Sequence, residues 1–241
     1  MIPKIIHYCW FGRNPLPKSA QKCIASWKKF LPDHEIKEWN EDNFNVNIIP
    51  YTKEAYEAKK YAFVSDYARF WILYHHGGVY FDTDVEVIKP LDNILTRGAF
   101  LGIEQGPAMY TRPLVAPGLG MGATRGLQFY KDMLDYYASI KFYLSDGTLN
   151  TTTIVEYTTR KLYEMGMKES NSLQLVGDIW IYPANVFCPM DSTTGITRVT
   201  DESVSIHHYD ASWLDNKTLH FKLHLLKNFL YRTLYRFGII K

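Results

Sequence analysis

Short apolar runs alternate along this chain with longer segments in which apolar residues recur every three or four positions. Side chains repeat with a period of two in a strand and about 3.6 in a helix, so the short runs predict strands and the longer segments predict helices. Strands that alternate with helices predict an α/β fold with a largely parallel central sheet. The predicted strands cover residues 4–10, 34–39, 79–81, 85–88, 100–104, 179–182 and 203–208, and the predicted helices cover residues 19–30, 56–76, 127–137 and 153–165.

No linker rich in proline or glycine interrupts the chain before about residue 210, so residues 1–216 are predicted to form one domain. Residues 217–241 carry six lysines and arginines and no acidic residue, although the net charge of the whole chain is only +2. A helix in this segment would be basic and amphipathic, and we expect it to lie on an anionic membrane surface. The alternative is a helix that packs on the domain and exposes a solvated basic face.

The composition suits one large domain with a hydrophobic core, since 46% of the 241 residues are hydrophobic. The net charge gives no indication of nucleic acid, and no nucleic acid partner is expected. The three cysteines, Cys9, Cys23 and Cys188, show neither zinc-binding spacing nor a disulfide framework, which favours a reducing compartment. Because we find no signal peptide and no apolar run of about 18 residues, we expect a cytoplasmic protein, at most peripheral on the inner face of the membrane.

Two carboxylates, Asp82 and Asp84, follow the predicted strand at residues 79–81 and are separated by one residue. Side chains at positions i and i+2 of an extended chain point to the same side, so these two acids would repel each other unless a cation lay between them. Oxygen ligands of this kind suit Mg²⁺ or Mn²⁺, and such ions usually share their coordination with substrate phosphates. The pattern therefore predicts a metal–diphosphate site.

A second pair of charged residues, Asp66 and Arg69, lies three positions apart on the predicted helix 56–76 and hence on one helix face. The pair could be a simple intrahelical ion pair. Alternatively, the aspartate could accept hydrogen bonds from sugar hydroxyls while the arginine binds a phosphate. One helix and one strand join Asp66 to Asp82, so both acids are expected at the sheet edge where ligands of α/β proteins bind.

Residues 61–87, YAFVSDYARFWILYHHGGVYFDTDVEV, resemble the core of glycosyltransferase family 32 and are similar to the glucosyltransferase domain of the large clostridial toxins. Residues 2–12, IPKIIHYCWFG, resemble the first strand and loop of the same group. The resemblance implies a GT-A type, Rossmann-like fold, a nucleoside-diphosphate sugar donor with Mn²⁺ or Mg²⁺, and transfer with retention of anomeric configuration. It favours hexose or N-acetylhexosamine transfer to a glycan or lipid-linked glycan in capsular polysaccharide synthesis. UDP is the preferred nucleotide, because a single stacked tryptophan and a small site suit uracil, and GDP is the alternative.

The same resemblance implies roles for individual residues in the first half of the chain. Asp84 would be the more direct metal ligand, and Asp82 would contact the metal shell and the ribose. Asp66 and Arg69 would hold the donor sugar and its diphosphate. Trp10, at the end of the first strand, would stack on the nucleotide base, although a tryptophan there could also be part of the core edge.

Residues 206–213, IHHYDASW, resemble the late H-x-x-x-S-W region of the family. A neutral imidazole can complete a Mn²⁺ site. Because neighbouring side chains of a strand face opposite ways, only one of His207 and His208 should face the metal. We favour His208, with His207 as the alternative. Ser212 would bind the metal or a phosphate, and Trp213 would close over the diphosphate.

The glycine-rich segment 118–122 favours a flexible loop near the acceptor site over a phosphate-binding loop, which would need a helix start in register.

Two rival functions remain. The F-D-T-D sequence is similar to that of metal-dependent haloacid-dehalogenase phosphohydrolases, although Glu86 stands where their pattern has threonine or valine. A non-catalytic carbohydrate-binding or membrane scaffold is the second rival, and the complete set of acidic and basic site residues argues against it.

Overall fold

The computed structural model describes residues 1–104, 112–192 and 194–210, so the predicted site residues Ser212 and Trp213 and the predicted basic helix 217–241 lie outside the described residues. The strands are β1 (Ile5–Cys9), β2 (Glu35–Trp39), β3 (Gly78–Tyr80), β4 (Val85–Val87), β5 (Phe100–Glu104), β6 (Leu114–Val115), β7 (Met121–Ala123), β8 (Gln174–Val176), β9 (Ile179–Tyr182) and β10 (Ser205–His207). The helices are α1 (Lys18–Phe30), α2 (Pro50–Glu57), α3 (Tyr61–His76), α4 (Asp92–Arg97), α5 (Gln128–Ser139), α6 (Ile154–Glu164) and α7 (Ala184–Phe187), with a 3₁₀ turn at Pro117–Leu119.

The central sheet has the strand order β2-β1-β3-β7-β5-β9-β8, with β6 attached to β5. β1 pairs in parallel with β2 and β3, and β5 pairs in parallel with β9. β7 is inserted antiparallel between β3 and β5, while β6 and β8 add antiparallel pairs. The predicted α/β class is confirmed, with parallel pairing in the β2-β1-β3 part that carries the first strands and helices of the chain.

β4 and β10 form a separate antiparallel pair, in which His207 lies opposite Val85. β4 begins directly after Asp84, and β10 ends at His207. This small sheet therefore brings the late histidines of the chain beside the early pair of acids.

The predicted helix 56–76 is instead two helices, α2 and α3. Pro50 occupies the first turn of α2, where its missing N–H is not needed. Lys59, between the two helices, has a φ of 57°, a backbone conformation that ends a right-handed helix. The prediction of one long helix was wrong because this break involves no glycine or proline.

The core lies on both faces of the central sheet. Side chains of α2, α3, α5 and α6 fill one cluster, and side chains of α1, α4 and α7 fill the other. Trp27 of α1 is fully buried, and its Nε1–H donates a hydrogen bond to the Val85 carbonyl at 2.8 Å. Helix α1 is thereby attached to the strand that follows the acids. No helix among the described residues is long and apolar enough to cross a membrane.

A buried histidine, His7, holds the turn that leads into β3. Its Nδ1 accepts a hydrogen bond from Trp39 Nε1 at 3.1 Å, so its Nε2–H donates to the Gly77 carbonyl at 2.9 Å. Gly78 has a φ of 103°, and a Cβ there would lie 2.7 Å from the Ile5 carbonyl oxygen. Burial lowers the pKa of His7 to about 4, because the charged ring would lose its hydration.

We expect the neutral His7 to make unfolding pH-dependent. Its contribution is complete above pH 6.5 and falls by up to about 3 kcal/mol as the pH drops to about 4, since the unfolded chain binds the proton first. The variant His7→Gln keeps a donor and an acceptor but cannot titrate, so its free energy of unfolding should vary less between these pH values. Urea unfolding at both pH values measures the difference.

The matched control for this experiment is His75→Gln, because His75 is exposed at the end of α3. This control should keep the full pH dependence of the wild-type protein. An equally steep pH dependence in His7→Gln and wild type would contradict the assignment of the effect to His7.

Candidate active site

A cavity of about 350 Å³ opens at the carboxyl ends of β1 and β3, the edge of the sheet where the sequence predicted a ligand site. It lies between the start of α3 and the end of β10. The acids that follow β3 and a histidine of β10 are on its wall, together with aromatic and basic residues of the loops. Its described lining consists of Cys9, Trp10, Phe11, Asn14, Lys59, Lys60, Tyr61, Ala62, Phe63, Ser65, Arg69, Asp82, Thr83, Asp84, His207 and Tyr209.

Three side chains in this lining could hold a metal ion, namely Asp82, Asp84 and His207. One ligand atom of each lies within 4.8 Å of the others. His207 Nε2 is 3.1 Å from Asp84 Oδ1, and the Asp210 backbone N–H donates to Asp84 Oδ2 at 3.0 Å. Two carboxylates and one imidazole are a donor set that fits Mn²⁺, and Mg²⁺ can use the same carboxylates.

The charges of this cluster are mutually dependent. Burial alone would raise the pKa of Asp84, but His207 and the hydrogen bonds to the carboxylate lower it overall. Burial alone would lower the pKa of His207, but Asp84 and the other nearby carboxylates raise it overall. A divalent cation would have to replace the proton on His207 Nε2, since only the neutral ring can bind a metal.

The structure corrects the choice between the two late histidines. His208 Nε2 lies 2.8 Å from Glu86 Oε2, and the His208 backbone N–H donates to the Asp84 carbonyl at 2.9 Å. The two rings contact different carboxylates, Asp84 for His207 and Glu86 for His208. It is His207, however, that the pairing of β10 with β4 places against the acids, so the preference for His208 was wrong.

Asp82 is held by three groups of the protein. The Tyr80 hydroxyl donates to Asp82 Oδ1 at 3.1 Å, and Arg69 Nη1 donates to Asp82 Oδ2 at 3.2 Å. The Asp82 backbone N–H donates to the Gly118 carbonyl at 3.1 Å. The carboxylate is therefore oriented before any ligand binds, whereas Asp84 is bound by the exchangeable proton of His207 and one backbone N–H.

Arg69 connects Asp82 to Asp66. Arg69 Nη2 donates to Asp66 Oδ1 at 3.1 Å and its Nε donates to the Ser65 carbonyl at 3.2 Å. The predicted helical ion pair between Asp66 and Arg69 is present, and both side chains are buried. Burial raises the pKa of Asp66, an effect that Arg69 opposes. Arg69 lines the cavity, but Asp66 is not among its described lining residues, so its contact with a donor sugar stays a prediction.

The glycine-rich segment 118–122 is not a flexible loop. It forms part of the buried 3₁₀ turn and of β7, a strand inside the central sheet. A Cβ added at Gly118 would overlap Asp82 Oδ2 and lie 3.3 Å from Arg69 Nη1. The absence of a side chain at Gly118 therefore leaves the space that the Asp82 carboxylate occupies, a contact with no signal in the local sequence.

Trp10 also lines the cavity. It is half-buried, and its Nε1–H donates to the Asn14 carbonyl at 2.6 Å, which fixes the ring against the loop after β1. The sequence analysis missed Lys59, Lys60 and Tyr61, which line the cavity beside it. Their position at the start of the helix that carries the S-D-x-x-R motif was the available signal, because the start of a helix that carries site residues tends to face the same cavity.

Comparison with solved structures identifies the fold as the GT-A type. The PaToxG glycosyltransferase matches with a TM-score of 0.51 at 19% sequence identity, covering 68% of this chain and 69% of that chain. At this level of identity the likeness shows the fold alone.

Residues 17–101 match the family model described as the glycosyltransferase sugar-binding region containing a DXD motif. Inositol phosphoceramide mannosyltransferase 1 of Schizosaccharomyces pombe is 28% identical over 121 residues, which cover 46% of this chain and 36% of that protein. Uncharacterized glycosyltransferase L373 of Acanthamoeba polyphaga mimivirus is 27% identical over 209 residues, which cover 80% of this chain and 79% of that protein. The chain thus spans about a third of the length of the yeast relative.

Substitution of Gly118 tests how closely the site is packed. Because an added methyl group would displace the Asp82 carboxylate, Gly118→Ala should weaken Mn²⁺ binding by about tenfold or more while the protein stays folded. Electron paramagnetic resonance of free Mn²⁺ measures the affinity, and circular dichroism checks the fold.

The control is Gly147→Ala, in an exposed turn where the added Cβ meets nothing within 4 Å. That variant carries backbone strain alone, since Gly147 has a φ of 81°. Its Mn²⁺ affinity should equal that of wild type. Equal affinities in all three proteins would show that the space beside Asp82 is not required.

Proposed function

We propose that this protein is a metal-dependent, retaining glycosyltransferase. It transfers a hexose or N-acetylhexosamine from a nucleoside-diphosphate sugar to a hydroxyl group of a glycan or lipid-linked glycan. One observation carries the proposal: a single cavity is lined both by an acidic, histidine-containing donor set and by a half-buried tryptophan. Its volume of about 350 Å³ lies in the range of small-molecule sites.

Different residues of the cavity lining would bind different parts of the donor. Trp10 offers an aromatic face for the base, and Lys59 and Lys60 provide positive charge at the exposed rim. Asp82, Asp84 and His207 would hold a divalent cation, which neutralises charge on the diphosphate leaving group. This arrangement explains why the acids and the tryptophan line the same cavity.

Arg69 would act on the leaving group. Its side chain lines the cavity, and its guanidinium group is oriented by hydrogen bonds to Asp66, Asp82 and the Ser65 carbonyl. A donor fixed in this way stabilises negative charge that develops on a phosphate oxygen without reorganising during the reaction.

The described lining supports attack from the same face of the sugar. Its carboxylates are Asp82 and Asp84, and both already accept hydrogen bonds from the protein. A two-step retaining route needs a carboxylate nucleophile beneath the sugar. In the single-face route, the acceptor oxygen bonds to the anomeric carbon as the bond to the diphosphate breaks, and the acceptor proton passes to a leaving-group oxygen.

The predicted donors and acceptors determine which substrates an activity screen should include. UDP remains our predicted nucleotide, with GDP as the alternative. Relatives named as inositol phosphoceramide mannosyltransferases support mannose among the hexoses and an inositol phospholipid among the acceptors, beside the predicted capsular glycans. The membrane-binding helix 217–241 and the cytoplasmic location also remain predictions.

The Asp84 carboxylate provides the direct test. Asp84→Asn should lower turnover by about 10² or more, equivalent to about 2.7 kcal/mol of lost transition-state stabilisation. Release of UDP or GDP from a panel of nucleotide sugars, with Mn²⁺ and glycan acceptors present, measures the rate. Asp33→Asn is the control, because Asp33 is exposed and pairs with Lys4.

Three outcomes would count against the proposal. Near-normal turnover by Asp84→Asn would show that the reaction does not require a metal held by Asp84. Hydrolysis of simple phosphoesters without any requirement for a nucleotide sugar would favour a phosphohydrolase. Absence of nucleotide binding in calorimetry, with and without Mn²⁺, would favour a non-catalytic scaffold.

Trp10 should contribute to donor binding and little to the chemical step. Loss of base stacking, worth about 1–3 kcal/mol, predicts that Trp10→Ala raises the donor KM by about tenfold or more and leaves kcat within a few fold. The control is Trp180→Ala, since Trp180 packs under Arg97 outside the cavity. A fall in kcat with unchanged KM would contradict base stacking by Trp10.

A further inference from the structure

The loop 10–14, which carries Trp10, bends sharply at Gly12 and Arg13. These two residues have φ values of 96° and 55°, and a left-handed conformation costs free energy in a residue with a side chain, such as Arg13. The bend returns the chain to Trp10, whose Nε1–H donates to the Asn14 carbonyl at 2.6 Å. The orientation of the Trp10 ring therefore depends on a bend that the surrounding structure must impose.

Glu41, in the turn after β2, holds this bend from outside the loop. Its Oε1 accepts a hydrogen bond from the Gly12 N–H at 2.6 Å and another from the Tyr56 hydroxyl at 3.0 Å. Hydrogen bonds to an ionised carboxylate are stronger than those between neutral groups. Because Tyr56 belongs to α2, the half-buried Glu41 connects the bend to a helix as well as to its own turn.

The turn that carries Glu41 is itself ordered. Asn40 Oδ1 accepts a hydrogen bond from the Asp42 N–H at 2.9 Å, and the Asn40 carbonyl accepts one from the Phe44 N–H at 2.9 Å. The buried Phe44 ring lies 5.8 Å from the ring of Phe11, centroid to centroid. The turn therefore presents the Glu41 carboxylate to the bend in a fixed position.

Tyr61 limits the bend on another side. A Cβ added at Gly12 would overlap the Tyr61 ring, so this ring lies directly on the bend. The Tyr61 ring also lies 5.4 Å from the Tyr56 ring, centroid to centroid, and it lines the cavity. The bend is thus packed against the cavity wall while Glu41 holds its backbone N–H.

The loop has a second attachment to the same turn, and it is weaker. Arg13 Nη2 lies 2.7 Å from Asp42 Oδ1, and the two side chains are 62% and 70% exposed. Ion pairs as exposed as this one contribute little to stability, since water screens the charges. Of the two neighbouring acids, Glu41 is therefore the one that fixes the bend.

We propose that Glu41 is a positioning residue, whose carboxylate fixes the bend at Gly12 and so holds the Trp10 ring in the orientation that stacks on the nucleotide base. The proposal rests on the proposed function, because it takes base stacking by Trp10 from there. Glu41 does not belong to the described lining of the cavity. It acts through the loop and does not touch the donor.

Two substitutions of Glu41 test the hydrogen bonds directly. Glu41→Leu removes the acceptor, and Glu41→Gln keeps an acceptor oxygen without the charge. We expect the leucine variant to bind UDP, in the presence of Mn²⁺, about three- to tenfold more weakly than wild type and the glutamine variant to lose less affinity. Titration calorimetry measures the affinity. With a nucleotide-sugar donor, KM should rise by a similar factor, and kcat should stay within a few fold of the wild-type value.

The matched control is Asp42→Leu, which removes the neighbouring carboxylate of the same turn. Its UDP affinity should stay within about twofold of wild type, because the Arg13–Asp42 pair is exposed. A loss as large as that in Glu41→Leu would overturn the specific role of Glu41. Mn²⁺ affinity, measured by electron paramagnetic resonance, should be the same in all these proteins, since the acidic cluster is not altered.

A double-mutant cycle tests whether Glu41 acts through Trp10. In a Trp10→Ala background, titrated to high UDP concentration, Glu41→Leu should cause no further loss of affinity. A further loss as large as that in the wild-type background would overturn the proposal. Thermal unfolding shows whether each variant is folded, and the glutamine variant, which preserves side-chain shape, remains a test should the leucine variant not fold.

The remaining outcomes separate this inference from the proposed function. If Trp10→Ala weakens UDP binding and Glu41→Leu does not, the role of Glu41 alone is overturned. A fall in kcat with unchanged KM in Glu41→Leu would assign Glu41 to the chemical step and also overturn it. Unchanged UDP binding in Trp10→Ala would overturn base stacking and, with it, this inference. GDP replaces UDP in every titration if wild type binds GDP more tightly, and binding of neither would overturn the proposed function itself.

Discussion

The buried guanidinium of Arg69 is the group on which the arrangement of the site depends. A charge removed from water is costly unless opposite charges and hydrogen bonds compensate it. Asp66 and Asp82 supply that compensation from two different elements, and the Tyr80 ring lies 4.9 Å from the guanidinium. Helix α3 and the segment after β3 are therefore joined by charge as well as by packing.

The ion pair between Arg69 and Asp82 gives the two acids of the D-x-D sequence different roles. Asp82 is already required to balance Arg69, and removal of its carboxylate would leave a buried cation with only Asp66 as a partner. Asp84 does not balance the charge of Arg69, because its contacts are with His207 and a backbone N–H. The geometry thus accounts for one acid that orients the site and another that is available to a ligand.

The backbone around the acids is fixed on three sides. The Phe81 N–H donates to the His7 carbonyl of β1, the Asp82 N–H donates to the 3₁₀ turn, and the Val85 N–H donates back to the Asp82 carbonyl. A site whose ligands are held before binding loses little entropy when a ligand arrives. The short turn between β3 and β4 consequently behaves as part of the scaffold, although it contains the reactive groups.

Local sequence patterns predicted the features that depend on local chemistry. β5 and β9 occur at the predicted residues, and the acids of the D-x-D motif line one cavity with Ser65 and Arg69 of the S-D-x-x-R motif. Local sequence patterns did not predict the contacts between distant segments. The choice of His207 over His208 depends on the register of β10 against β4, and the need for glycine at position 118 depends on where the Asp82 side chain ends.

Backbone conformation gives a marker of the site that is independent of family resemblance. Among the described residues, the non-glycine residues with positive φ are Arg13, Lys59 and Tyr209, with φ values of 55°, 57° and 52°. Lys59 and Tyr209 line the cavity, and Arg13 lies in the loop between the lining residues Phe11 and Asn14. A left-handed residue costs about 1–2 kcal/mol and persists only where its surroundings impose it. Three such residues around one cavity indicate that the fold maintains this loop geometry at the expense of stability, as expected where the loops shape a binding site.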